Sequence, residues 1–152
     1  MPKVVLPLER AHELKGATLG PTEWKDVTQE VINQFAEATG DRQWIHLDAE
    51  RAARDSPFRK TIAHGYFTLS LVPVFFLEMV EVTGVRMVLN YGSNKVRWPA
   101  PVPIPSRIRM VGEISDMIRL ETFFDVVLQA KIEVEGQKRP AMVGEVLYRY
   151  YH

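Results

Sequence analysis

From Gly65 to Val80 the chain has almost no polar side. Tyr66, Phe67, Leu69, Leu71, Val72, Val74, Phe75, Phe76, Leu77, Met79 and Val80 fall in nearly every direction around a helix of 3.6-residue period. A helix that is apolar all round must be covered on most sides. The run carries Pro73 and Glu78 and is too short to span a bilayer, which takes about 20 apolar residues. The pattern therefore predicts a core helix that starts at His64-Gly65 and ends before Gly84. Pro73 should bend it, because its ring lacks an N–H and crowds the preceding turn.

Upstream, a short helix is expected over residues 8–15, stopped by Gly16, and a strand over residues 22–27 with Trp24 and Val27. Val31, Ile32, Phe35, Ala36 and Thr39 then recur at helical spacing, with Thr28 as N-cap and Gly40 as the stop. Residues 40–48 read as a loop carrying Asp41, Gln43 and His46. Asp48 caps a short helix over residues 48–54, and Phe58 should tuck its ring beneath the loop that follows.

Downstream, the period changes to two. Val85, Met87, Leu89 and Tyr91 alternate with Arg86, Val88 and Asn90, with Gly92 a candidate bulge and the strand resuming over residues 96–98. Residues 99–105 carry four prolines and cannot be a central strand, so they read as an extended connection. Residues 107–114 form a strand with Ile108, Met110 and Gly112 on one face. Residues 115–117 read as a weak turn, 120–134 as a long strand, 135–137 as a hairpin turn and 139–151 as the last strand. A buried helix followed by long antiparallel strands predicts an α+β fold in which a curved sheet wraps the helix. A curved sheet leaves edges, and edges invite a second copy, so a homodimer is expected.

Composition narrows the function without naming it. The 152 residues suit one domain, 1–152. Nineteen basic and nineteen acidic residues cancel, which offers no electrostatic footprint for nucleic acid or an anionic membrane. The absence of cysteine excludes disulfides, thiol catalysis and thiolate metal sites, and it fits a cytoplasmic location. The first residues lack a signal-peptide pattern.

Asp41 and His46 are the two groups near each other that can exchange protons close to neutral pH. A carboxylate and an imidazole that share one water can act as a base and acid pair. His64-Gly65 opens the core helix, where free N–H groups can hold a developing oxyanion and glycine permits close approach. Together these parts suit addition of water to, or its removal from, an activated carbonyl compound. Each also has a plain structural reading, as a helix stop, a buried histidine and a turn glycine. Asp41, His46 and His64 could in principle bind a metal, but the four histidines show no paired spacing on one helix face. Phosphate-loop, dinucleotide and serine-elbow motifs are absent.

The order Phe35-Ala-x-x-x-Gly40-Asp41-x-x-x-Ile45-His46-x-Asp48, then Ala52, Phe58 and Ile62-Ala-His64-Gly65, resembles the hydratase motif of the MaoC-like family, which includes (R)-specific enoyl-CoA hydratases. Val96-Arg-Trp98-Pro-Ala-Pro101-Val102 resembles that family's strand and Pro-Val turn. The resemblance implies a hot-dog fold, a homodimer, and reversible hydration of a trans-2-enoyl-CoA to the (R)-3-hydroxyacyl-CoA. Asp41 and His46 would hold the catalytic water, and the Gly65 N–H would hold the thioester carbonyl. His64, Gln43, Tyr66 and Asn94 are further substrate-side candidates. The acyl-CoA thioester is the expected partner, and no cofactor is implied beyond the CoA that the substrate carries. Two departures stand out: Gln43-Trp44 replaces the family's Asn-Pro, and Pro73 stands where some relatives place a serine that supports the aspartate.

Rival readings keep the fold and change the task. They are dehydration of a 3-hydroxyacyl group on acyl carrier protein, a non-catalytic acyl-thioester-binding dimer, and a thioesterase.

Overall fold

The structure, a computed structural model, describes residues 1–152. Strand β1 (Val4–Pro7) leads into a 3-10 helix, Leu8–Leu14, and then into β2 (Thr18–Leu19) and β3 (Lys25–Val27). Four helices follow: α1 (Gln29–Thr39), α2 (Trp44–Leu47), α3 (Ala49–Asp55) and α4 (Gly65–Ser70). Helix α5 (Val72–Met79) runs into β4 (Val80–Thr83), and β5 (Met87–Arg97), β6 (Ser106–Arg119), β7 (Phe123–Val134) and β8 (Met142–Tyr151) complete the chain.

The large sheet has the order β2-β6-β7-β8-β5, with β3 also paired to β6, and every pairing in it is antiparallel. Period-two alternation decides which face looks inward. Phe124, Val126, Leu128, Ala130 and Ile132 of β7 are buried, as are Met142, Val146, Tyr148 and Tyr150 of β8. They share one core with Ile108, Met110 and Ile114 of β6 and with Phe67, Val72, Phe75, Phe76 and Met79 of the helices. Phe76 stacks on Tyr148 with ring centroids 4.6 Å apart. The helices thus lie on the inner face of the sheet, the wrapped arrangement that the sequence predicts.

Local signals explain most boundaries. The Thr28 hydroxyl accepts from the Val31 N–H at 3.3 Å and opens α1; Gly40, at φ 82°, ends it. Asp48 caps α3 by accepting from the Arg51 N–H at 2.9 Å. The sheet steps out of register between Asn90 and Gly92, where a bulge is expected.

Several expectations change. The core helix is two short helices rather than one, and Val80–Thr83 leaves it as a strand. Pro73 falls in the first turn of α5, where its missing N–H costs no bond. Val80 and Val82 are β-branched and alternate with polar residues, and they find a parallel partner in Val4–Pro7. Nor is the helix covered all round: Tyr66 is 71% and Leu77 52% exposed. Phe58 does not tuck in and is 48% exposed. Residues 115–117 do not turn; β6 passes through them with a register step after Ile114, and the turn comes at Leu120, whose N–H bonds the Phe123 carbonyl. Finally, the alternation in β5 has no buried face. Met87, Val88, Leu89 and Tyr91 are all exposed, because this half of β5 is an edge that lies outside the core; the Arg149 guanidinium covers one face of the Tyr91 ring at 3.8 Å. No helix is long and apolar enough to cross a membrane.

The Phe76 contact gives a direct test of the core. Phe76→Ala should cost about 3–5 kcal/mol of folding stability, read from a chemical denaturation curve, since the ring is fully buried and leaves a cavity.

Candidate active site

The site is built where the loop after α1 meets the segment before α4. His46 does not sit on an irregular loop, as its surroundings in sequence suggest, but in the single turn of α2. Its position is fixed three times. The Gln29 side chain donates to the His46 carbonyl at 2.7 Å, and Thr61 donates to Gln29 Oε1 at 2.7 Å. The Ile62 N–H bonds the Ile45 carbonyl at 3.0 Å. His46 Nδ1 then lies 2.7 Å from the Ile62 carbonyl oxygen. A carbonyl only accepts, so Nδ1 carries the proton and Nε2 keeps its lone pair.

His64 is arranged the same way. It is 3% exposed, and its Nε2 lies 2.9 Å from the Asp41 backbone carbonyl, so Nε2 donates. Its Nδ1 is buried with no hydrogen-bond partner. The two imidazoles stack, with centroids 3.8 Å apart and planes 24° from parallel, and Phe35 lies against His64 at 4.9 Å. Burial pushes the His46 pKa below the usual histidine value, and the neighbouring His64 adds to this; the Ile62 carbonyl and Asp41 oppose it. A low pKa and a donated Nδ1–H leave His46 a neutral base at physiological pH.

Asp41 completes the group. A carboxylate oxygen of Asp41 and one ring nitrogen from each histidine all lie within 4.8 Å of one another. One water can bridge two such acceptors, since hydrogen bonds of about 3.0 Å meeting at a tetrahedral angle span about 4.9 Å. A single metal ion fits poorly. It must lie in the plane of each ring that binds it, whereas stacked rings have nearly parallel planes that meet far from both nitrogens. The Asp41 carboxylate is exposed and accepts from the Gln43 N–H at 3.4 Å. Pro73 sits on α5 and contributes no hydroxyl there.

A cavity of about 290 Å³ opens beside His46. His46, Ala63, Gly65 and Thr68 line one side of it, and Trp98, Pro99, Ala100, Pro101 and Val102 another. The proline-rich connection is therefore a wall as well as a link. It is held there by backbone bonds from Ala63 N–H to the Val102 carbonyl and from Ile104 N–H to the Thr61 carbonyl, both 2.9 Å. The N–H groups of Gly65 and Tyr66 bond no backbone carbonyl; the first N–H of α4 to bond back is that of Thr68, to His64.

The structure thus brings Asp41, His46, His64 and Gly65 together. It does not bring Asn94, whose side chain donates to Glu145 at 2.9 Å, its register partner across β5 and β8. Gln43 contributes its backbone to the Asp41 loop, and its side chain is not in the cavity wall. Tyr66 points outward, edge-on to Trp98 at 5.6 Å. Gln29, Thr68 and Trp98 carry no sequence signal that separates them from ordinary helix and strand residues. Only the spacing of Trp98 from Pro101-Val102 hints at a shared wall.

Residues 11–137 match the family model described as MaoC like domain. The chain is 48% identical over 139 residues to the 3-hydroxyacyl-thioester dehydratase Z of Mycobacterium tuberculosis, covering 89% of each chain. It is 33% identical over 116 residues to the 3-hydroxybutyryl-CoA dehydratase of Methylorubrum extorquens, covering 75% of this chain and 71% of that one. Among solved structures, the R-hydratase PhaJ1 of Pseudomonas aeruginosa superposes with a TM-score of 0.73 at 20% identity, over 91% of this chain and 82% of that one, and shares its fold. With the wrapped helices and the matched sequence in agreement, this chain belongs to the MaoC-like dehydratase family and has its hot-dog fold.

Proposed function

We propose that the protein is a hydro-lyase that interconverts a trans-2-enoyl-CoA and the (R)-3-hydroxyacyl-CoA. The observation that supports this best is the neutral His46, its Nδ1–H spent on the Ile62 carbonyl, facing the Asp41 carboxylate across the width of one water. In the hydration direction, Asp41 and His46 hold that water. Its oxygen bonds to Cβ while its proton passes to the Nε2 lone pair of His46. Electrons move from the double bond toward the thioester carbonyl, whose oxygen gains charge and is held by the Gly65 N–H. The enolate then collapses, and Cα takes a proton from the Asp41–His46 pair. Atoms balance as one water added, and the reverse sequence removes it. His64 keeps this group in register by holding the Asp41 backbone and stacking on His46. The acyl tail occupies the cavity lined by Thr68, Trp98 and Val102.

The names of the relatives support the same chemistry: one is called a 3-hydroxyacyl-thioester dehydratase, which specifies no carrier, and another a 3-hydroxybutyryl-CoA dehydratase. The acyl carrier protein reading differs only in the carrier.

We also place a second copy of the chain along β5. That edge exposes Met87, Leu89 and Tyr91 together with unpaired backbone groups, the combination an antiparallel partner strand would cover. Sedimentation should give twice the mass of one chain at micromolar concentration; a monomer would remove this part of the reading.

Crotonyl-CoA is the first substrate to try, followed by loss of its enoyl-thioester absorbance. Asp41→Asn and His46→Gln should each lower kcat about 10²–10⁴-fold while the protein stays folded. Variants as active as wild type would overturn the assignment of the pair. Activity confined to crotonyl-acyl carrier protein would favour the other carrier, and release of a free thiol would mean a thioesterase.

The pH profile supplies an independent check. His46 must be neutral to accept a proton, and its pKa is lowered, so the neutral form persists into more acidic solution than for a free histidine. The acid limb of kcat/KM should lie below about pH 6.5. The same shift means the unfolded chain binds this proton more readily than the folded one, so stability should decline as pH falls through that value.

A further inference from the structure

Trp98 takes no part in holding the water, yet it is the largest side chain in the cavity wall. Its indole N–H donates to the Gly65 carbonyl at 2.9 Å. A Cβ added to Gly65 would stand 2.9 Å from Cε2, 3.0 Å from Cδ2 and 3.1 Å from Nε1. Those three atoms share one side of the five-membered ring and include both fusion carbons. Near-equal distances to them put the glycine over the ring face rather than against its edge. Tyr66 braces the indole edge-on at 5.6 Å. The ring is therefore fixed by a hydrogen bond and an aromatic neighbour, but it is not buried: 39% of Trp98 stays exposed. An indole serving only to pack the core would be covered and would have no need to open onto the cavity.

We propose that Trp98 is a substrate-contact residue whose rigid indole face sets the width of the slot for the carbonyl end of the acyl thioester, and so excludes acyl groups branched next to the carbonyl. The inference rests on the reading that the Gly65 N–H holds the thioester oxygen. An acyl Cα is one bond from the carbonyl carbon, so a substituent on it lies close to Gly65 and to the indole that covers it. The side of Gly65 that a Cβ would occupy is closed by the indole, so the ring bounds the space beside the Gly65 N–H. A straight, planar enoyl thioester can lie along a flat ring face, whereas a 2-methyl branch would be pushed into it. Phenylalanine would keep a flat face without the N–H, and alanine would remove both.

The test compares Trp98→Ala and Trp98→Phe with wild type on crotonyl-CoA and 2-methylcrotonyl-CoA. Removing the ring should raise the kcat/KM of the branched substrate relative to the straight one by about 10-fold or more, the scale of a methyl group's discrimination in an apolar pocket. Trp98→Phe should stay near the wild-type ratio. An unchanged ratio in a folded, active Trp98→Ala protein would overturn the proposal. Contact is read separately in the Trp24→Phe/Trp44→Phe protein, where Trp98 is the only tryptophan left. Its emission should shift when saturated butyryl-CoA binds, with bound ligand counted by calorimetry. Bound ligand without a shift overturns the contact. If wild type hydrates neither enoyl-CoA, the functional reading fails on its own account, while a shift with butyryl-CoA still supports contact at Trp98.

Discussion

Two bonds from imidazole N–H groups to backbone carbonyls hold the centre of this molecule together. His46 donates to Ile62, and His64 donates to Asp41. Each histidine is anchored by the other's chain segment, so the loop after α1 and the segment before α4 are tied reciprocally. A carbonyl cannot donate, so each bond also chooses a tautomer. The result is a stacked, buried pair of rings, one of which keeps a usable lone pair beside a carboxylate. Gln29 adds a third tie by binding the His46 carbonyl from the first turn of α1. Break this lattice, and the cavity would keep its walls but lose the group that orients the water.

Much of this was legible in the chain itself. The periodic residues of α1, the caps at Thr28 and Asp48, the stop at Gly40 and the inward face of β6 each follow from local chemistry, and each is where the pattern puts it. Asp41, His46, His64 and Gly65 were visible as candidates because few residue types can do this chemistry. Their order in the chain resembles a known motif, which turned scattered candidates into one site.

What the sequence hid was non-local. Val4–Pro7 looks like an unremarkable leader until Val80–Thr83 lies beside it, and no local signal joins residues so far apart. The all-apolar helix promised burial on every side, yet one chain supplies a sheet on only one side, so Tyr66 and Leu77 remain exposed. Period-two spacing in β5 likewise announces a strand without saying whether either face has a cover. Gln29 and Trp98 were missed for a similar reason. Their roles come from the groups they reach, and neither residue type announces its target. Asn94 shows its polarity in the sequence but not its partner, Glu145, which the fold places across the strand pair.

The wall formed by residues 98–102 hangs from β5, which is bonded to the sheet on one side only, through β8. A second copy laid along that open side would bond β5 on both sides, and a strand paired on both sides opens less readily than an edge. Trp98 and the prolines follow β5 directly in the chain, so the same pairing would steady the wall beside Gly65. The acyl slot is thus tied to the strand on which two chains would meet, and the water-holding group to the helices behind it. Association between copies and the shape of the slot would then be set by one strand.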